Sequence, residues 1–212
     1  MTTTATLLVA LASVAALIDW WSVAEDRLSL EFIAKPLVVI GLIGAALAVD
    51  TGDGIVRGLV VAALGASLVG DVVLMTPDAR FEAGVFAFLV AHVLYITAFI
   101  ETGGLEVGAA VAAAVLIVGI GFEAVPPIVG GARSHGPVVQ TGVTVYIGVI
   151  AVMAVLAAAT GELTAVIAGA LFLASDALLG WNRFVDHAPG GRVLVHVTYH
   201  AAQIGFVLWL AA

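Results

Sequence analysis

Residues 55–75 read IVRGLVVAALGASLVGDVVLM, and this stretch decides the fold class of the chain. Only Arg57 and Asp71 are charged within it. An apolar α-helix needs about 20 residues to cross the roughly 30 Å hydrocarbon core of a bilayer, so the stretch has the length and composition of a membrane-spanning helix. The carboxylate of Asp71 would then lie inside the span, where a charge is costly unless it has a partner or a task.

The rest of the chain has the same character. Of its 212 residues, 63% are hydrophobic and 10% are charged, which leaves too little polar sequence to cover a soluble core. We therefore predict an all-α, polytopic membrane protein in which residues 1–212 form a single integral membrane domain. Its eight transmembrane helices are expected at about 4–21, 32–49, 55–75, 83–100, 105–122, 138–159, 163–181 and 192–211. Residues 1–4 carry no basic side chain, so the first segment is expected to span the membrane rather than act as a signal peptide.

The basic residues fall mainly on one side of these predicted helices. The odd-numbered loops hold or adjoin Arg27, Lys35, Arg80, Arg133, Arg183 and Arg192, whereas only Arg57 adjoins an even-numbered loop. The positive-inside rule then places the odd loops in the cytoplasm and both termini outside the cell membrane. The formal net charge of −8 argues against nucleic-acid binding, which needs a basic face. Together with the single lysine, that charge is also typical of a halophile.

Rare polar residues recur in the two halves of the chain. Asp71 precedes the sequence His92-Val-Leu-Tyr95, and Asp176 precedes His196-Val-Thr-Tyr199 at nearly the same distance. A chain rich in Ala, Val, Leu and Gly matches itself easily, but matches among Asp, His and Tyr are harder to obtain by chance. We predict a 4+4 internal repeat with a pseudo-two-fold axis along the membrane normal, which would bring the two carboxylates face to face. The repeats would cover about 1–103 and 104–212.

The two carboxylates also lie at similar depths. At about 1.5 Å per residue, each lies roughly 6 to 7 Å inside the predicted end of its helix. Lys35, Asn182 and Arg183 belong to the same face. A buried carboxylate serves either a reaction or an interhelical hydrogen bond, and the same two interpretations apply to the histidines. The functional interpretation predicts a pocket open toward the cytoplasmic leaflet, with candidate catalytic residues Asp71, Asp176, His92 and His196.

Several longer motifs carry a resemblance to a known family. They are KPL at 35–37, GDVVLM at 70–75, the run from Phe81 to Tyr95, ASDALLG at 174–180, and Tyr199 with Gln203. Together they resemble the YhhN family of lysoplasmalogenase-like transmembrane proteins, over almost the whole chain. The resemblance implies hydrolysis of the vinyl ether bond of a lysoplasmalogen-like lysolipid, with release of a fatty aldehyde and a glycerophospho-headgroup. The family positions that it carries over are Lys35, Asp71, His92, Tyr95, Asp176, Tyr199 and Gln203.

The candidate residues suit that reaction. Vinyl ether hydrolysis begins with slow protonation of the alkenyl carbon, and water then captures the resulting oxocarbenium ion. Two carboxylates in one low-dielectric site cannot both ionise comfortably, so one would hold a proton as general acid while the other stabilises the cation and receives the proton of the water. The sequence does not distinguish the two, and His92 and His196 would orient them. The residues expected to bind substrate are Lys35, Tyr95, Asn182, Arg183, Tyr199 and Gln203.

Two other functions fit parts of the pattern. A repeat with membrane-embedded acids is also typical of a small-solute or ion-coupled transporter, although such a carrier should contain a broken helix, for which Gly119 and Gly121 mark the best candidate. His196 and His200 are one helical turn apart, as zinc ligands often are, and with Gln203 they would suit a zinc-dependent intramembrane lipid hydrolase. We expect the site to need no cofactor. The oligomeric state is not determined by the sequence.

Overall fold

The computed structural model describes residues 1–76 and 81–212, and across these ranges it consists of eight α-helices without a strand. The helices are α1 (Thr3–Ala24), α2 (Leu28–Ala48), α3 (Gly54–Met75), α4 (Phe81–Glu101), α5 (Val107–Arg133), α6 (Pro137–Ala159), α7 (Leu163–Phe184) and α8 (Gly191–Leu210). Each is long and apolar enough to cross a membrane, so the prediction of an all-helical, multi-pass membrane protein is confirmed. The internal repeat and the sidedness of the loops stay predictions, and Arg80 lies outside the described residues.

The fifth helix differs most from its prediction. The sequence predicts its end at about residue 122, but α5 continues to Arg133 and is the longest helix at 27 residues. Pro126 and Pro127 lie inside it, and spanning helices tolerate proline because packed neighbours can satisfy the backbone groups that it frees. The helix also continues through Gly119 and Gly121 without a break. It is therefore not the interrupted helix that a carrier would need.

Small residues allow the helices to pack closely. α8 lies beside α1, α2, α3 and α7, while α6 lies beside α4, α5 and α7. Gly205 of α8 rests against Ala168 of α7, and Gly41 of α2 rests against Ala12 of α1. Close backbone approach of this kind is usual in bilayers, where van der Waals packing rather than water exclusion drives helix association.

Polar side chains lie in the interior of the bundle, mostly toward the end that carries the α1–α2 and α7–α8 loops. The buried polar residues are Asp19, Ser22, Glu31, Lys35, Ser67, Asp71, His92, Ser175, His196, His200 and Gln203. Ionisable groups in spanning helices are costly and usually face a partner or a functional cavity. This end of the bundle is therefore the candidate functional site.

Candidate active site

A polar cavity of about 380 Å³ lies among the first turns of α2 and α8 and the last turns of α3 and α7. Asp71 and Asp176 both line it, together with Lys35, His196 and Tyr199. The helix order places the cavity at the face that the basic residues predict to be cytoplasmic. The structure thus brings both candidate carboxylates to one cavity.

Asp71 is neutralised by a lysine. Its Oδ1 lies 3.1 Å from Nζ of Lys35, and its Oδ2 accepts a hydrogen bond of 2.7 Å from the hydroxyl of Tyr199. The Asp71 side chain is only 1% exposed, and a buried charge persists when it is paired and hydrogen-bonded in this way. The ammonium of Lys35 is itself almost buried, and the Asp71 carboxylate is the anion that compensates its charge. Each group therefore favours the charged form of the other.

Asp176 has neighbours of another kind. The hydroxyl of Tyr146 donates to its Oδ2, and Nε2 of His92 lies 3.6 Å from the same oxygen. Nδ1 of His92 lies 2.6 Å from the carbonyl oxygen of Phe88, which can only accept, so Nδ1 carries a hydrogen. In a neutral imidazole the lone pair of Nε2 then faces Asp176. That arrangement is repulsive toward a carboxylate and favourable toward a carboxylic acid.

His196 belongs to a network that reaches α1. Its Nδ1 lies 2.7 Å from Oδ2 of Asp19, and its Nε2 lies 3.7 Å from Oε1 of Glu31. Arg192 donates to Oε2 of Glu31 at 2.8 Å and to Oδ1 of Asp26 at 3.0 Å. The His196 ring on the cavity wall is therefore oriented from two sides by carboxylates.

Two predicted substrate-binding residues lie deeper in the bundle. The hydroxyl of Tyr95 donates to Oε1 of Gln203 at 2.5 Å, and both side chains are fully buried between α4 and α8. Neither is among the described residues that line the polar cavity. The pair joins two helices beneath the cavity.

The two predicted residues at the end of α7 point to different places. Asn182 lines the cavity, and its Oδ1 accepts a 3.0 Å hydrogen bond from the backbone N–H of Ala188, which fixes the α7–α8 loop. Arg183 instead places its guanidinium 4.9 Å from the ring centre of Phe81. Arg192, with its side chain 51% exposed, is the guanidinium that lines the cavity.

Comparison with known proteins gives the family of the chain. The model of the YhhN family matches residues 30–210. The chain belongs to the YhhN family. A pig protein named lysoplasmalogenase TMEM86B is 36% identical over 173 residues, which cover 81% of this chain and 71% of the relative. The human lysoplasmalogenase TMEM86B is 30% identical, with coverage of 86% and 76%, and the bovine lysoplasmalogenase TMEM86A is 30% identical, with coverage of 65% and 59%. No solved structure matches the chain.

The resemblance to the YhhN family that the motifs predicted is thereby confirmed, but several residues of the candidate site were missed. They include the network partners Asp19 and Tyr146 and the cavity residues Glu31, His187 and Arg192. Asp19 is the only acid in the first apolar segment, and Tyr146 is the only tyrosine without a counterpart in the other half of the predicted repeat, so rare polar residues in apolar spans were the available signal. Asp19 precedes the range matched by the family model, and the resemblance could not have indicated it.

The histidine pair of the zinc alternative is occupied by other contacts. Nδ1 of His200 accepts a 3.1 Å hydrogen bond from Nε1 of Trp20, while Nδ1 of His196 faces Asp19. Within residues 1–76 and 81–212, no group of three or more His, Asp or Glu side chains is placed to hold a metal ion. Elemental analysis of purified protein tests the metal content directly.

Proposed function

We propose that this YhhN-family protein is a membrane-embedded hydrolase of the vinyl ether bond in a lysoplasmalogen-like lysolipid, with Asp176 as general acid and Asp71 as the anionic partner. The observation that carries the proposal is the unequal environment of two carboxylates on one cavity wall. The names of the pig, human and bovine relatives support the same reaction.

The assignment of the acid follows from the hydrogen-bond partners. Beside Asp71 stands an ammonium, which stabilises an anion. Beside Asp176 stand a phenol that donates to Oδ2 and an imidazole whose Nε2 lone pair favours a protonated neighbour. A neutral acid beside a neutral imidazole also avoids placing two charges in a low-dielectric interior. Asp176 therefore holds the proton, and His92 acts as its positioning residue.

The reaction then proceeds in three steps: protonation of the alkenyl carbon, addition of water and collapse of the hemiacetal. Asp176 transfers its proton to the alkenyl carbon that does not bear oxygen, which leaves an oxocarbenium ion stabilised by ionised Asp71. Water adds to the carbon that bears oxygen and gives its proton to Asp71, which forms a hemiacetal. The hemiacetal hydroxyl returns a proton to Asp176 while Asp71 protonates the departing glyceryl oxygen. The C–O bond breaks, aldehyde and alcohol leave, and both carboxyl groups regain their starting states.

The outer part of the cavity suits a phosphate headgroup. Arg192 and His187 line it at the exposed side, and Arg192 is held in place by Glu31 and Asp26. Guanidinium groups are preferred partners of phosphate. The Lys35 side chain is almost buried against Asp71, and Arg183 stacks on Phe81, whereas the Arg192 side chain is 51% exposed on the cavity wall. We therefore assign the headgroup to Arg192.

The decisive assay measures aldehyde released from a vinyl ether lysolipid by the purified protein in detergent or liposomes. Asp176→Asn and Asp71→Asn should each lower kcat by roughly 100-fold or more, since each deletes a proton-transfer group. Asp53→Asn is the matched control, because Asp53 caps the opposite end of α3 and asparagine caps a helix about as well. Absence of aldehyde from the native protein, combined with solute flux across liposomes, would contradict the proposal and support a carrier.

A further inference from the structure

A second, almost wholly apolar groove of about 150 Å³ lies among α4, α5, α6 and α7. Its walls are formed by aliphatic and aromatic side chains, including Ile117 and Ile128 of α5 and Ile150 of α6. The polar side chains in its lining are those of Tyr146 and Asp176, which are hydrogen-bonded to each other. A groove of this composition fits a hydrocarbon chain and lacks the charged and hydrogen-bonding side chains that would bind a phosphate or a sugar.

The groove and the polar cavity meet at the proposed general acid. Asp176, Phe88 and Leu179 line both spaces. Asp71 and Lys35 line the polar cavity but are not among the described residues that line the groove. A vinyl ether lysolipid has the same division, since its bond to be cleaved joins a polar glycerophosphate to one apolar chain. We propose that the groove binds the alkenyl chain of the substrate and thereby places the vinyl ether against Asp176. This proposal rests on the function proposed above.

The division of the two carboxylates fits this placement. The carbon that must be protonated lies on the chain side of the vinyl ether, and Asp176 is the carboxyl group that faces the groove. The carbon that water attacks lies on the headgroup side, and Asp71 faces only the polar cavity. The geometry therefore matches the first two proton transfers, to the alkenyl carbon and from the water, to the nearer carboxyl group.

The groove continues inward from the level of Asp176. On α5 its lining runs from Ala124 to Ile117, a rise of about 10 Å at 1.5 Å per residue. The groove therefore fits the first part of the alkenyl chain, and the rest of the chain would lie in the surrounding hydrocarbon. The chain would therefore run from Asp176 toward the middle of the bilayer.

The space between α4 and α5 is the side by which the chain would enter. Both helices line the groove, yet none of their Cα atoms come within 8 Å of each other across residues 81–101 and 107–133. α5 is also the most peripheral helix, with no buried residue in its most apolar 18-residue window. A single-chain lipid can therefore enter laterally, with its tail in hydrocarbon throughout.

A matched pair of glycines in α5 tests the proposal. Gly121 lines the groove, and a Cβ added there meets only Val125 at an ordinary 3.7 Å. Gly119 faces open space, with nothing within 4 Å of an added Cβ. Gly121→Leu should lower kcat/KM for a hexadecenyl lysolipid by about tenfold or more relative to a butenyl one, because only the longer chain reaches Gly121 and each excluded methylene is worth roughly a factor of four. Gly119→Leu should leave this ratio unchanged.

Photolabelling of the native protein gives a readout that does not need catalysis. A non-cleavable alkyl ether lysolipid with a diazirine in the first part of its chain should label Ile117 and Ile150 rather than the lipid-facing Val115 and Val118. An active enzyme whose chain preference is unchanged by Gly121→Leu, or labels spread over the outer faces, would overturn the groove and leave the proposed reaction standing. A native protein labelled in the groove but inactive on every vinyl ether lysolipid would support the chain site and contradict the reaction.

Discussion

The different roles proposed for Asp71 and Asp176 follow from one neighbour of each aspartate. Asp71 has the ammonium of Lys35 at 3.1 Å, while Asp176 has an imidazole whose free nitrogen lies 3.6 Å away. The sequence predicted both carboxylates and both neighbours, but it could not assign the roles. That assignment depends on Nδ1 of His92 donating to the Phe88 carbonyl, a contact four residues along one helix that no pattern of residue types encodes.

The Lys35–Asp71 pair gives the first prediction at this scale. Lys35→Met should lower the stability of the protein by about 3–5 kcal/mol, because it leaves a buried carboxylate without its cation. The double variant Lys35→Met/Asp71→Asn should recover most of this stability while remaining inactive. Thermal unfolding in detergent measures both effects. Equal stability of Lys35→Met and the native protein would show that the pair is not ionised.

His92 gives the second prediction. His92→Asn keeps a donor toward the Phe88 carbonyl but removes the nitrogen that faces Asp176. Activity should fall by roughly 100-fold or more, and the alkaline limb of the kcat/KM profile should move, because the proton of Asp176 loses its partner. An altered kcat with an unmoved pH profile would assign His92 a purely structural role. Thr97→Ala, on the exposed side of the same helix, serves as control.

At the scale of the element, α5 and α7 meet at their ends. Gly131 of α5 packs so closely on the backbone of Phe184 at the end of α7 that an added Cβ would collide with its carbonyl oxygen. This contact holds the end of the groove where Phe81 and Phe184 form an edge-to-face pair, with ring centres 5.8 Å apart. The sequence predicted a helix that ended before Pro126, so this contact could not be predicted.

The third prediction uses the adjacent glycine as its control. Gly131→Ala should destabilise the protein by about 1–3 kcal/mol, because a backbone carbonyl cannot yield as a side chain can. Gly130→Ala meets nothing within 4 Å and should be neutral or slightly stabilising in a helix. Thermal unfolding of the two variants in the same detergent compares them. A Gly131→Ala variant as stable as Gly130→Ala would contradict the close approach of α5 and α7.

At the scale of the whole molecule, composition and span length were enough to predict an all-helical membrane protein. The cavity was only partly predictable. Repeat spacing and the family resemblance indicated the lining residues Asp71, Asp176, Lys35, His196 and Tyr199. Partners contributed from distant segments escaped prediction: Asp19 lies 177 residues from His196, and Tyr146 lies 30 residues from Asp176. Such pairs follow from helix packing, which no single segment encodes.

The orientation of the molecule gives the fourth prediction. The chain has no cysteine, so single cysteines report accessibility without background. Ser134→Cys in the α5–α6 loop should react with an impermeant maleimide only from the cytoplasmic side, and Thr51→Cys in the α2–α3 loop only from outside, because arginine and lysine favour the cytoplasmic face. The reverse labelling pattern would place the polar cavity in the outer leaflet.

The proposed reaction requires that one carboxyl group of the cavity is neutral while the other is ionised. Infrared difference spectroscopy of the purified protein reads this state directly through the carbonyl stretch of a protonated carboxylic acid. We expect such a band in the native protein, its loss in Asp176→Asn and its persistence in Asp71→Asn. A native protein without the band, or a band lost in Asp71→Asn but kept in Asp176→Asn, would contradict the proposed roles of the two groups.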